Sequence, residues 1–435
     1  MKVAILGGGM AGVTTARTLH QRGYDIHLYE AAPRLGGLCR SDVVEGFVYD
    51  TSGGHVLHSR DQRVLGEMLA TVGDSVRTER NTKIHYRDRY VKYPFENGLS
   101  DLPPEDNLAC LKGYLEATMA RRGGAAEPGN FRDWIHWRFG EGIARLFMYP
   151  YNEKIWCSDL KQVAVDWVSG RIPEAPLEDV LRAALGLASE GYTHQSVFYY
   201  PRKGGFETLV AAYARGFEER IRLATPVQEV ETRTGAYTVN GEAFDRVINT
   251  LPLRQFMPVL RPAPLAEVLA ALAALKHLSL ATVFLAVDRP ALSPHSWVYL
   301  PHPEDGPVNR LTFLSNYSPD NAPQGCSSVL AEVTYAGDSG RPHLEALEKE
   351  VTASFERIGI LKGDELMFTR SRWNEYAYPV YDLGFKDKIG IVLRHLDQLA
   401  IPSFGRFARY SYVNTDQVVL QVEAGLRDQF PPLGR

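Results

Sequence analysis

Cysteine is scarce in this chain: four in 435 residues, at Cys39, Cys110, Cys157 and Cys326, with no C-x-x-C pair among them. That pattern excludes a disulfide framework and a cysteine-based zinc site, and it fits a reducing, cytoplasmic compartment. No metal ligand set is expected. Long hydrophobic runs are also missing. The most apolar stretch, 265–287, is broken by Glu267, Lys276 and His277, so it reads as a helix followed by a strand rather than a membrane span. The opening MKVAILGGGMAG is apolar for a few residues and then turns glycine-rich, unlike an export signal. Charge of one sign is lacking too: 48 basic against 52 acidic residues give a net −4, which argues against a broad nucleic-acid-binding surface. No repeat or low-complexity tract occurs. What remains is 45% apolar and 23% charged, the make-up of a soluble globular protein of two or three lobes.

The first thirty residues are the most patterned. An apolar strand at 2–6 runs into glycines, a helix is predicted over 13–23, and DIHLY at 25–29 reads as a second strand. Residues 100–190 are mostly helical in pattern, with helices predicted at 107–121, 130–147 and 177–188 and a loop GGAAEPG at 123–129. Beyond 195 strands dominate: 196–200, 226–231, 245–251, 280–287 and 327–335, with a helix at 344–358. No clean linker divides the chain, so discontinuous domains are expected. The expected fold is α/β, with three parts. The first is a discontinuous Rossmann-like lobe (1–78, 204–262 and 385–435). The second is a helical lobe (100–190), and the third a mixed or antiparallel sheet lobe (79–99, 191–203 and 263–384).

Gly7-Gly8-Gly9-Met10-Ala11-Gly12 fits G-x-G-x-x-G between a strand and a helix. In such a turn Gly7 allows the sharp bend, Gly9 lets the backbone approach a pyrophosphate, and Gly12 lets the helix pack close on the strand. The free N–H groups of the helix N-terminus then face the phosphate. Glu30 ends the second strand 18 residues past Gly12, where a carboxylate can accept from ribose hydroxyls. The string continues as E-x-x-x-R-x-G-G, with Arg34 able to reach a phosphate and Gly36-Gly37 able to pass close to the cofactor. This segment, and the strand at 245–249 that ends in Thr250-Leu-Pro252, resemble the FAD motifs of the amine oxidase, protoporphyrinogen oxidase and UDP-galactopyranose mutase superfamily.

Within that superfamily several blocks resemble the UDP-galactopyranose mutases, particularly their eukaryotic-type form. They are GGHVLHS at 53–59, YPFENGLSDLP at 93–103, NFRDWIHWRFGEGIARLFMYPYNEKIW at 130–156, DWVSGRIPEAP at 166–176, NRLTFLSNYSP at 309–319 and GRFARYSYVNTDQ at 405–417. The resemblance implies a redox-neutral pyranose–furanose interconversion of a nucleotide diphosphate sugar. UDP-galactopyranose and UDP-galactofuranose are the default pair, with a GDP-sugar as a variant. Reduced flavin N5 would attack the anomeric carbon while the diphosphate leaves and returns, and NAD(P)H or another reductant would supply the electrons. It further implies that Arg171 and Arg310 clamp the diphosphate, guanidinium forks being suited to phosphate oxygens. Tyr299, Tyr317, Tyr378 and Tyr412 would contact diphosphate and sugar, with Asn152 and Trp156 beside them. Tyr93 and Phe95 would hold the base. His55, after Gly54, would lie against the flavin, with Met10, Ala11, Val227, Thr250, Arg406, Asn414 and Asp416 also on the cofactor.

Two positions depart from that pattern. Glu96 stands where a glutamine is expected; a carboxylate only accepts, which suits guanine's adjacent donors better than uracil's mixed edge. The plainer reading has Glu96 pointing to solvent. His58 stands where an aromatic contact is usual. The competing readings are an amine oxidase or protoporphyrinogen oxidase type of oxidoreductase, which needs no diphosphate clamp, and a flavoprotein that only binds.

Overall fold

The structure is a computed structural model that describes residues 1–169, 171–172, 175–187, 196–233 and 235–433. Strands Lys2–Leu6 and Asp25–Tyr29 form the centre of a parallel sheet, flanked by Arg246–Asn249 on one side and Ile221–Arg222 on the other. Val3, Ile5, Ile26 and Leu28 are sealed from solvent, as parallel strands covered on both faces require. The helix Met10–Gln21 starts three residues earlier than its periodicity suggests, and its Val13, Ala16 and Leu19 share a core with Val418, Val419 and Val422 of the last helix, Thr415–Gln429.

A second, larger sheet carries seven strands in the order Leu366–Pro379, His277–Val287, Ser327–Ala336, Arg310–Thr312, Trp297–Tyr299, Thr82–Tyr86, Arg89–Lys92. It is antiparallel except where Trp297–Tyr299 runs parallel to Thr82–Tyr86, so residues some 200 positions apart become neighbours. The run 265–287 resolves into the helix Ala266–Ala274 and the fully buried strand His277–Val287. A strand at 226–231 is displaced to Val230–Arg233. The N–H groups of Gln228 and Glu229 donate instead to the Asn240 side chain, at 2.8 and 3.2 Å, so Val227 sits in a loop.

The helix predicted over 130–147 is broken. Phe131–Ile143 contains Gly140 at φ 73°, a π turn spans Ala144–Met148, and a new helix runs over Tyr149–Trp156. The cause is a close crossing with helix Pro104–Arg122: Gly113 on one side faces Gly140 and Gly142 on the other, backbone to backbone. The helix Leu177–Ala184 stops short of 188; Ala188, Gly170, Pro173, Glu174 and 191–195 lie outside the described residues. Among the described residues no helix is long and apolar enough to cross a membrane.

The crossing makes a prediction. A Cβ on Gly142 would stand 2.5 Å from the Ala109 carbonyl oxygen and the Cys110 Cα, whereas one on Gly66, inside helix Gln62–Val72, meets nothing within 4 Å. Gly142→Ala should cost about 1–3 kcal/mol through overpacking. Gly66→Ala should stabilise by about 0.5–1 kcal/mol. Urea denaturation followed by circular dichroism measures both.

Candidate active site

Strand register builds one wall of the site. Tyr299 pairs with Arg310, Arg310 with Glu332, and Glu332 with Thr282, so the four side chains form a row across neighbouring strands on one sheet face. Arg310 donates from Nε and Nη2 to the two Glu332 oxygens, at 2.8 Å each. Glu332 is buried, and burial pushes its carboxyl above the ordinary range although Arg310 opposes the shift. The Arg310 fork is therefore taken on one edge, and its Nη1 has no hydrogen-bond partner among the described residues.

The loop 51–55 lies on this row. Thr282 Oγ1 and Asn374 Nδ2 donate to the Thr51 carbonyl, Ser52 Oγ donates to Asn374 Oδ1, and the Gly54 N–H donates to Glu332 Oε1 at 3.3 Å. Gly53 needs its φ of 96°, and a Cβ there would meet the Glu332 carboxylate. The His55 N–H donates to Asp50 Oδ2 at 3.1 Å, and its ring stacks on Phe206 at 5.1 Å. Burial, with Arg406 and Arg310 adding to it, lowers the His55 pKa to about 3, so the imidazole is neutral near pH 7. Its Nδ1 is buried with no hydrogen-bond partner among the described residues.

Opposite this wall, the Arg171 guanidinium lies 3.6 Å above the Tyr412 ring and donates to the Tyr412 carbonyl. Tyr412 meets Tyr378 edge-on at 5.5 Å. Arg406 donates to the carbonyls of Ala377 and Val413 and stacks over Tyr378. These residues, with His55, Tyr93, Tyr299, Arg310, Tyr317, Asn414 and Asp416, line a single cleft of about 740 Å³. Burial holds the Tyr93, Tyr317 and Tyr378 phenols above their usual range, so they act as neutral donors. Among the described residues no group of three or more His, Cys, Asp or Glu is placed to hold a metal.

The glycine turn adjoins the cleft. Gly7 has φ 106°, and a Cβ on Gly12 would collide with the Gly7 carbonyl, so helix and strand touch there as the motif requires. Helix Met10–Gln21 has no side-chain cap and no acidic residue in its first turn, which leaves its N-terminal N–H groups for an anion. Gly9 faces Gly37 backbone to backbone, and Leu38, next along, lines the cleft. Thr250 Oγ1 ties the turn by donating to the Leu6 carbonyl. Glycine bed, open helix end and an orphaned imidazole nitrogen fit a dinucleotide that runs from the turn into the cleft.

The sequence profile of the flavin containing amine oxidoreductases matches residues 10–385. The chain belongs to that family. Among solved structures it superposes with a TM-score of 0.89 on a reduced UDP-galactopyranose mutase, at 27% identity, covering 98% of this chain and 94% of that one. A putrescine oxidase bound to putrescine shares the fold at TM-score 0.68 and 19% identity, with 99% of each chain covered. Among curated proteins, protoporphyrinogen oxidase 2 of Arabidopsis thaliana is 26% identical over 454 residues, covering 88% of this chain and 85% of that protein.

For this member of the flavin containing amine oxidoreductases, several expected site residues stand apart from the cleft. Arg34 is committed to Asp42, the Ser41 carbonyl and Glu207. Glu30 accepts from the N–H groups of Gly8 and Ala32, at 2.8 Å each, so it closes the glycine turn with lone pairs to spare. Phe95 is buried against Phe147, Asn152 donates to the Met148 carbonyl, and Trp156 packs on Trp167 behind Tyr412. Glu96 does not point to solvent: it is 5% exposed, and burial pushes its carboxyl up to about 7 despite Arg138. Sequence reasoning missed Glu332, Asp50, and Arg80, whose guanidinium lies between the Tyr93 and Trp297 rings at 4.8 and 4.7 Å. Only Glu332 left a trace, as the lone charge in the apolar strand VLAEVTY.

The row yields a prediction. Glu332→Ala strands the Arg310 charge in the interior and should cost about 3–5 kcal/mol in chemical denaturation. Glu332→Gln, which keeps an acceptor for Gly54, should cost less.

Proposed function

We propose that this flavoprotein is a mutase that interconverts the pyranose and furanose forms of a nucleotide diphosphate sugar. The observation that carries the reading is the gathering of Arg171 and Arg310 with Tyr299, Tyr317, Tyr378 and Tyr412 in the cleft that His55 also lines. Every one of these can donate to phosphate or hydroxyl oxygens. Trp167 and Trp297, also in the cleft wall, each bury an indole N–H that has no acceptor among the described residues. An acceptor-rich ligand answers that excess of donors. The likeness to a reduced UDP-galactopyranose mutase over nearly the whole chain supports the same reading.

The cofactor this site would hold is FAD, which when bound and reduced would supply a nucleophilic nitrogen for the anomeric carbon. Around it, residues 1–78, 204–262 and 385–435 form the cofactor lobe. Arg171 and the Nη1 side of Arg310 take the charge that grows on the departing diphosphate, so their contacts strengthen toward the transition state. The tyrosines hold the sugar and phosphates without adding further charge. The neutral imidazole of His55 offers a hydrogen bond without repelling nearby cations. Four free cysteines agree with a reducing, cytoplasmic setting.

The relation to protoporphyrinogen oxidase 2 supports a second reading, an oxidase. One experiment separates them. The dithionite-reduced protein is incubated without oxygen with UDP-, GDP- and dTDP-hexoses, and the products are resolved by ion-pair chromatography. The mutase reading expects an isomer of unchanged mass, formed only by reduced protein and with no electron acceptor consumed. No isomer from any donor, with oxygen uptake on an amine or porphyrinogen, establishes the oxidase instead.

Arg171→Ala should lower kcat/KM by about 2–5 kcal/mol, roughly 30- to 5,000-fold. Its flavin absorbance should be unchanged, because its contacts are with Tyr412 and not with the glycine bed. At Arg310 the lysine variant is the cleaner probe, since alanine there also leaves Glu332 buried and unpaired.

A further inference from the structure

The loop that presents His55 is held at two consecutive amides by two buried carboxylates. Glu332 takes the Gly54 N–H and Asp50 takes the His55 N–H. Glu332 is already committed to Arg310, whereas Asp50 has no cationic partner among the described residues and is sealed from solvent. A buried carboxylate without a counter-ion is retained at a cost, and here its remaining lone pairs are filled by neutral donors. Asp50 Oδ1 accepts from Ser41 Oγ at 2.8 Å, Tyr200 OH at 2.8 Å and the Phe206 N–H at 3.2 Å.

The choice of donors is informative. One oxygen of Asp50 fixes the main chain of His55 and the other fixes the main chain of Phe206. The Phe206 ring is the surface on which the imidazole stacks, 5.1 Å away and 27° from parallel. A single carboxylate therefore sets both the loop that carries the imidazole and the plane beneath it. The imidazole Nδ1 has no hydrogen-bond partner among the described residues, and the ring's remaining polar contact is with the Gly53 backbone of its own loop, so its orientation rests on that loop and on the Phe206 ring.

We infer that Asp50 is a positioning residue that fixes how His55 is presented to the flavin, acting through the 53–55 loop and the Phe206 ring. The inference rests on the proposal that His55 faces the flavin, and it holds for a mutase and an oxidase alike. Asp50→Asn cannot offer an acceptor to His55 N–H and to the three donors on the other oxygen at once, because one end of the amide is itself a donor.

The test is a double-mutant cycle read on the flavin, not on turnover. The ratio of reduced to oxidised flavin is measured against a reference dye in purified holoenzyme, for wild type, Asp50→Asn, His55→Gln and the double variant. Asp50→Asn is expected to move the ratio about tenfold, which is ~30 mV for a two-electron couple, and to move it little once His55 is glutamine. Loss of charge acting through space, or a general loosening of the fold, would move the ratio equally in both backgrounds and overturns the inference, as does no movement in either. If His55→Gln alone leaves the flavin spectrum and ratio unchanged, the placement of His55 at the flavin falls, and the inference with it. Should Asp50→Asn give no soluble holoenzyme, Tyr200→Phe removes one support of Asp50 while leaving the carboxylate. A shift of about twofold that vanishes in the His55→Gln background supports the inference, and an unchanged ratio overturns it.

Discussion

The buried pair between Arg310 and Glu332 is the constraint around which the site is arranged. An isolated charge is not tolerated at such depth, so each member obliges the other. Glu332 can reach Arg310 only because the two are register partners on adjacent strands, and the same register sets Tyr299 on the other side of Arg310. The remaining capacity of Glu332 is spent on the Gly54 amide, which fastens the loop beneath His55 to the sheet. Cross-strand pairing thus fixes the cation, its tyrosine neighbour and the glycine loop together, and a slip of one residue would send all three to the opposite face.

Charge in the cleft is unbalanced in one direction. Its lining holds five arginines, at 60, 80, 171, 310 and 406, against three aspartates, at 61, 166 and 416. Arg171, Arg80 and Arg406 lie over aromatic rings, which steady a guanidinium without neutralising it. This keeps the cations pre-organised and still able to attract an anion.

Local features of the fold were legible in the sequence because they depend on local chemistry. The strand, glycine turn, helix and second strand of the first thirty residues are dictated by periodicity and by glycines that no other residue can replace. The broken helix at 131–156 was not legible, because the break answers Gly113 on another helix, and periodicity does not record a partner. The same holds at the site. Arg171, Arg310, Tyr317 and Tyr412 stand in the blocks that carry the resemblance and line the cleft, but Glu332 and Asp50 show their meaning only when strands distant in sequence close over them. Arg80, in the polar run RTERNTK, reads as a solvated charge until Trp297 arrives from the far end of the chain.

Glu96 shows how burial can undo an argument made from residue type. Read as a carboxylate, it accepts only, and that separates guanine from uracil. Its burial in the 95–97 turn, behind the cleft residue Tyr93, pushes its carboxyl up to about 7. Near neutral pH the group is then divided between an acceptor-only form and a protonated form that can both donate and accept. The protonated form can donate and accept as a glutamine amide does. The donor capacity of this buried side chain therefore depends on proton occupancy as much as on residue type, and it falls away as pH rises above the group's own pKa.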